Sequence, residues 1–219
     1  MSRAGSAAGD AGGISRLIWR LYAPAGLRGR LLAYGRTYLC PFERILSYAP
    51  SRGRFIEIGC GTGVFANLLA TAGGERDVVG YDADPAAIAV AQATVGGRSK
   101  MKFAVARVEG LGPLEPADAI AAIDLFHHLD AATQLQTIDW VNRTLKPGGV
   151  FLLKEIDRHP AWMYFANKLH DAIMDPGNPL CVRPHEEYLR VLQAAGFEAT
   201  CESMHKLVYP HVLFVARKR

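Results

Sequence analysis

Hydrophobic and polar positions follow two alternating periods along this chain. Short, mostly apolar runs typical of buried strands occur at residues 55–58, 77–81, 101–105, 118–123 and 150–154. Between them, apolar residues recur every three or four positions, as amphipathic helices require. One such helix carries the stripe Leu135, Ile138, Val141 and Leu145. This alternation of strand and helix predicts a doubly wound α/β fold around a mostly parallel sheet.

The N-terminal region has a different pattern. Residues 1–13 are rich in glycine, alanine and serine and are predicted to form a disordered leader. Residues 14–50 have helical periodicity and form a predicted N-terminal cap, in which arginines flank the first apolar stripe. Two interpretations stay open: a cap packed on the main domain, residues 51–219, or a surface that meets a membrane or an acyl chain.

Composition limits the classes of protein to consider. Of the 219 residues, 50% are hydrophobic and 21% are charged, and the net charge is +4. These values are ordinary for a globular protein and do not indicate a nucleic-acid partner. The four cysteines form no Cys-x-x-Cys pair, and no His/carboxylate spacing typical of a metal site occurs. No apolar run is long enough to cross a membrane. Together with the scattered cysteines, this predicts a cytoplasmic protein, and the missing ligand spacing predicts that it holds no metal.

The stretch that carries the most chemistry is Glu57-Ile-Gly-Cys-Gly-Thr-Gly63. It follows a predicted strand and precedes a predicted helix, and its glycines let a ligand lie against the backbone. The next strand ends at Asp82, whose carboxylate suits the two hydroxyls of a ribose. Asp84 precedes Pro85 and is better suited to cap the following helix. A ligand that contains a nucleoside is therefore predicted.

Two ligand classes compete for this turn. Dinucleotide sites favour Gly-x-Gly-x-x-Gly, but Val64 stands where the last glycine would fall. The carboxylate of Glu57 also suits a ligand that is positively charged near the turn. S-adenosylmethionine has a sulfonium, an ammonium and a ribose but no phosphate, and it fits better. A dinucleotide-dependent oxidoreductase of the NAD type remains the alternative.

Three segments together resemble the class I S-adenosylmethionine-dependent methyltransferases: the glycine turn, Tyr81-Asp-Ala-Asp-Pro85 and Leu145-Lys-Pro-Gly-Gly149. The resemblance implies a Rossmann-like seven-stranded sheet that ends in an antiparallel hairpin, with S-adenosylmethionine as cofactor. It implies a cofactor site made of Glu57, Gly59, Cys60, Gly61, Gly63, Asp82, Ala83 and Asp124. Arg107 stands where the family often has a carboxylate that contacts adenine, and Glu109 is a candidate for that contact.

Histidines follow the fourth strand, at the carboxyl end where ligands of α/β sheets bind. His127 and His128 are the predicted catalytic bases, because a neutral imidazole accepts a proton near pH 7. Other proton acceptors follow the fifth strand or lie beyond it: Glu155, Asp157, His159, His170 and His185. We expect methylation of an oxygen or nitrogen of a small or lipid-like molecule. A module that binds S-adenosylmethionine without catalysis is a further alternative.

Overall fold

The protein is described by a computed structural model at residues 11–72, 74–164, 181–205 and 209–219. Seven strands form one sheet in the order β3-β2-β1-β4-β5-β7-β6. Their bounds are β1 Gly53–Ile58, β2 Arg76–Asp82, β3 Met101–Val105, β4 Ala117–Ile123, β5 Leu145–Ile156, β6 Phe197–Ser203 and β7 His211–Lys218.

The central strands are parallel and the last two are not. β1 pairs in parallel with β2 on one side and with β4 on the other. After β3 the chain crosses to the opposite side of β1, so the strand order reverses between β1 and β4. Ligands of open α/β sheets bind beyond the strand ends at such a reversal. β7 pairs antiparallel with both β5 and β6, which confirms the expected final hairpin.

Seven helices are described: α1 Ala11–Leu21, α2 Gly26–Leu39, α3 Phe42–Ser47, α4 Val64–Thr71, α5 Pro85–Ala93, α6 Ala131–Thr144 and α7 His185–Ala194. Helices α1, α4 and α5 contribute to the hydrophobic core on one face of the sheet. Helices α6 and α7 contribute to a second core on the other face. Helices on both faces of a mostly parallel sheet confirm the predicted doubly wound fold.

Helix α1 belongs to the core of the domain. Its stripe residues Ile14 and Ile18 are buried, as is Tyr22 just after the helix. The hydroxyl of Tyr22 donates to the carbonyl of Thr62 in the glycine turn, at 2.6 Å. The cap interpretation is therefore correct for the α1 stripe. No helix in the described part of the chain is both long and apolar enough to cross a membrane.

Some boundaries and one helix face differ from the sequence predictions. Helix α1 begins at Ala11, before the expected end of the leader, and residues 1–10 lie outside the described part. Two residues of the predicted α6 stripe differ from expectation: Leu135 is exposed, and Leu145 lies beyond the end of the helix and begins β5. Gln134, in contrast, is fully buried. The Gln134 amide donates to three backbone carbonyls, of Phe126, Leu129 and Cys181. These hydrogen bonds compensate for the burial of a polar side chain, so the side of α6 that carries Gln134 can face the protein interior.

Candidate functional site

The glycine turn joins β1 to α4 at the centre of the sheet. Gly63 has φ 79° and would place a Cβ 2.6 Å from the ring of Phe103, so only glycine fits there. Gly61 also has positive φ, but a Cβ on it would meet nothing closer than the Arg36 guanidinium, at 3.8 Å. The backbone at Gly61 therefore borders open space, where a ligand can approach closely.

Glu57 lies beneath the turn on β1. Its carboxyl accepts a hydrogen bond from the amide of Ala66 in the first turn of α4, at 2.8 Å. The side chain is buried, and burial raises the pKa of Glu57 to about 8, against the opposing effect of the Arg36 guanidinium. These contacts support a structural role for Glu57, in which it holds the turn against helix α4.

Asp82 ends β2 beside the turn. One carboxylate oxygen accepts from the amide of Gly61 at 2.6 Å, and the other accepts from the amide of Asp84 at 2.9 Å. Asp84 in turn caps α5 by accepting from Ala86, as predicted. Each carboxylate oxygen has a second lone pair, so Asp82 can still accept from a ligand.

A cleft opens beyond the ends of β1, β2 and β4. Its walls include the predicted residues Gly59, Asp82 and Ala83. Arg107 and Glu109 line the same cleft. The predicted adenine-side residues therefore lie next to the predicted ribose acceptor. The remaining predicted turn residue, Cys60, is buried, and its thiol donates weakly to the Gly61 carbonyl at 3.6 Å.

Asp124 lies just after β4. Its φ of 57° is in the left-handed region, which residues other than glycine rarely adopt. Its carboxylate pairs with Lys154, a fully buried lysine on β5, and with Arg36 of α2 at 3.3 Å. Burial alone would raise the pKa of Asp124, but the charges of Lys154 and Arg36 hold it well below its usual range. Asp124 is therefore an ionised carboxylate with two cationic partners.

His127 lies three residues after Asp124 and is buried. Its Nδ1 is 2.6 Å from the Glu155 carboxylate, whose other oxygen accepts from the amide of Phe126 at 2.7 Å. Because a carboxylate only accepts, Nδ1 carries the proton and Nε2 is the basic nitrogen. Burial opposes protonation, but Glu155 outweighs it, so the pKa of His127 is raised.

His128 is exposed, and its ring centre is 4.2 Å from that of His127. A second histidine–carboxylate pair, His185 with Asp157 at 2.9 Å, lies at the start of α7. His170 lies outside the described residues. The structure thus separates the two predicted bases: one is a buried, carboxylate-bonded imidazole and the other a surface side chain.

Two residues near the turn were not predicted from the sequence. Arg36 bridges Asp124 and the open side of Gly61, and Asn67 donates to Gly63, Tyr22 and Thr94. Arg36 is 88 positions from Asp124 along the chain, so no local pattern indicates their contact. In the described ranges, no three histidine, cysteine or acidic side chains are placed to hold a metal ion.

Comparisons with known proteins point in one direction. A family model described as a methyltransferase domain matches residues 32–202. An uncharacterised methyltransferase from Synechocystis is 33% identical over 137 residues, which are 59% of this chain and 58% of that protein. A ubiquinone biosynthesis O-methyltransferase from Paracidovorax citrulli is 26% identical over 161 residues, 71% of this chain and 64% of that protein.

Solved structures show the same fold at low identity. One similar chain comes from the complex between the Haloferax volcanii Trm112 methyltransferase activator and the putative methyltransferase. Its TM-score is 0.72 at 17% identity, and the match covers 93% of this chain and 96% of that one. An S-adenosylmethionine-dependent methyltransferase from Mesorhizobium loti has TM-score 0.67 and 18% identity, covering 80% and 96%. This chain spans about three fifths of the length of the two curated relatives.

Proposed function

The chain belongs to the methyltransferase family, and from this premise we propose that it transfers a methyl group from S-adenosylmethionine to an oxygen, or a nitrogen, of a small or lipid-like molecule. The family match confirms the resemblance to class I methyltransferases seen in the sequence and favours methyl transfer over NAD-type oxidoreduction. The observation that carries the proposal is the His127–Glu155 pair at the strand ends next to the glycine turn.

The cleft supports a nucleoside-containing cofactor. We assign the ribose to Asp82 and the adenine side to the wall that contains Arg107 and Glu109. The open face of Gly61 admits the chain that joins the ribose to the amino acid. Arg36, on that open side, is placed to pair with the carboxylate of the cofactor's methionine part.

The chemistry assigned to the protein is limited to alignment and proton removal. S-adenosylmethionine, when bound, supplies an electrophilic methyl group on a sulfonium. Nε2 of His127 accepts the proton that an acceptor hydroxyl or amine loses, and Glu155 stabilises the imidazolium that forms. Asp124, fixed by Lys154, orients the segment that carries this histidine. An acceptor with a proton to lose explains why a base is present.

One relative, the sequence after β4 and the net charge bear on the class of acceptor. The Paracidovorax relative is named an O-methyltransferase, and its similarity is distant. No Asn-Pro-Pro-Tyr segment, which resembles the signature of enzymes that methylate amino groups of bases or glutamine, follows β4. The net charge of +4 does not indicate a nucleic-acid substrate. A small or lipid-like hydroxyl compound is therefore the first choice.

Label transfer tests the activity and the acceptor together. The protein is incubated with methyl-labelled S-adenosylmethionine and a cell extract, and the label is counted in the protein, nucleic-acid, aqueous and solvent-extracted fractions. Label in the aqueous or solvent-extracted small molecules is expected. Label in protein or nucleic acid would contradict the acceptor class. No transfer by protein that binds the cofactor would favour the alternative of a binding module without catalysis.

The ribose assignment predicts that Asp82→Ala weakens cofactor binding. Loss of a charged hydrogen bond costs about 1.5–3 kcal/mol, so the Kd for S-adenosylmethionine should rise more than about tenfold. Calorimetry measures this, with Asp84→Ala as the matched control because that carboxylate caps α5. Unchanged affinity in a folded Asp82→Ala variant would remove Asp82 from the site.

The Arg36 assignment makes a more selective prediction. Arg36→Gln should raise the Kd for S-adenosylmethionine about tenfold, since the guanidinium is partly exposed and its ion pairs are screened. Affinity for methylthioadenosine, which lacks the amino-acid part, should stay unchanged, whereas Asp82→Ala should weaken both ligands. Arg44→Gln, which affects an exposed arginine paired with Glu202, is the control. Equal losses for both ligands in Arg36→Gln would contradict a carboxylate contact.

A further inference from the structure

Helix α2 presents an apolar face to solvent. Leu27, Leu31 and Leu32 have exposed fractions of 68%, 52% and 59%, and Tyr38 and Leu39 are exposed as well. At about 100° per residue these five side chains fall within an arc of roughly 140°. The buried positions Gly29, Ala33 and Thr37 lie on the opposite side. The helix is therefore anchored by its small residues and turns its large apolar residues outward.

This exposed face differs from the predicted apolar stripe of α1. The apolar residues of α1, such as Ile14 and Ile18, are buried in the core. In α2, by contrast, Leu27, Leu31 and Leu32 are each more than half exposed. Clusters of large exposed hydrophobic residues mark interaction sites on soluble domains. The second interpretation of the cap, a surface that meets a membrane or an acyl chain, stays a prediction, and α2 is the helix that exposes the apolar residues such a surface needs.

Helices α1 and α2 carry charge of one sign. Residues 11–42 contain no aspartate or glutamate, and of their five arginines Arg36 pairs with Asp124 in the candidate site while the other four lie at 16, 20, 28 and 30. Arg16, Arg20 and Arg28 are exposed. The Arg30 guanidinium lies over the ring of Trp19, 3.9 Å from its centre, which keeps its charge beside α1. The surface therefore suits an anionic partner with apolar parts.

An open groove of about 770 Å³ separates the outer sides of α1 and α2. It is lined by Arg16, Trp19, Arg20, Leu31 and Tyr34, together with Gly13. The rings of Trp19 and Tyr34 meet edge to face at 5.3 Å. Aromatic rings and arginines together are typical of the boundary between lipid headgroups and acyl chains.

We propose that the α1–α2 face, defined by the exposed leucines of α2 and by Arg16, Arg20 and Arg28, docks on a bilayer that contains anionic phospholipids. The leucines enter the interface while the arginines pair with headgroup phosphates. A second copy of the chain is a poorer occupant, because a two-fold interface would bring these acid-free, arginine-rich surfaces together and like charges would repel. The proposal stands independently of the identity of the methyl acceptor.

Vesicle sedimentation tests the proposal on the full chain. Phosphatidylcholine vesicles are compared with vesicles of phosphatidylcholine and phosphatidylglycerol in equal parts, at low and high salt. We expect binding to the anionic vesicles only, weakened by salt. The triple variant Leu27→Ser/Leu31→Ser/Leu32→Ser should lower partitioning by at least about tenfold, because it removes the inserted apolar area. At roughly fivefold per arginine, Arg16→Gln/Arg20→Gln/Arg28→Gln should lower it about a hundredfold.

The matched control is Leu135→Ser/Arg143→Gln, which changes an exposed leucine and an exposed arginine on α6. It should sediment like the wild type, and all variants should keep the wild-type circular dichroism and melting temperature. Equal binding to both vesicle types, no binding, or undiminished binding of the triple leucine variant would overturn the proposal. A wild-type dimer in solution that the leucine substitutions convert to monomers would overturn it too, because a second copy would then cover the face.

Discussion

Replacement of His127 by alanine is expected to lower the single-turnover rate of methyl transfer by about 100- to 10,000-fold, the range typical for loss of a general base. The reason is its pairing with Glu155, which fixes the tautomer and stabilises the protonated ring. His128→Ala is the matched control, because His128 is adjacent in sequence but exposed. Rapid-quench measurement with saturating cofactor separates the chemical step from binding.

The pH dependence gives an independent test of the same pair. A base must be neutral to act, so the wild-type rate should rise with pH through the raised pKa of His127 and level off above it. Glu155→Gln removes the charge that raises the pKa of His127, whereas the burial that lowers this pKa is unchanged. The rising limb should therefore move to lower pH and the plateau rate should fall. If His127→Ala and Glu155→Gln keep the wild-type rate and profile, the pair is structural, and His185 with Asp157 becomes the next candidate.

Replacement of Asp124 by asparagine is expected to destabilise the fold by about 3 kcal/mol, the low end of the range for breaking a buried ion pair. Lys154 is fully buried and would lose the carboxylate partner of its side chain, whereas Asp124 itself is 25% exposed. Asparagine tolerates the positive φ of 57° at this position, so backbone strain does not explain the loss. Urea unfolding measures the free energy.

The double variant Asp124→Asn/Lys154→Met is the control for this explanation. Methionine fills a similar volume without a charge, so the double variant should recover most of the lost stability. The pKa of Asp124 is depressed in the folded state. The ion pair therefore stabilises the protein fully at pH values above the ordinary carboxyl pKa, and this stabilisation is lost as the pH falls through the depressed pKa. A double variant as unstable as Asp124→Asn alone would contradict the role assigned to the buried ammonium.

Local sequence patterns were sufficient to predict the central strands, the glycine turn and the order of the α/β units. These features depend on local requirements: apolar runs for buried strands, glycine at Gly61 and Gly63 for positive φ, and an aspartate before proline for the start of α5. Local patterns also predicted that Asp82 lies next to the glycine turn, because neighbouring parallel strands end at the same edge of the sheet. The roles of these residues toward a ligand remain predictions.

The polar contacts across the site depend on long-range packing, which local patterns do not predict. The contacts of Arg36 with Asp124 and of His127 with Glu155 join residues 88 and 28 positions apart, and the spacing of residues along the chain carries no signal for them. The same limit explains why the apolar stripe of α1 proved to be buried while the leucines of α2 are exposed. Periodicity shows that a helix has an apolar side, but the packing of the remaining elements determines whether that side meets the core or the solvent.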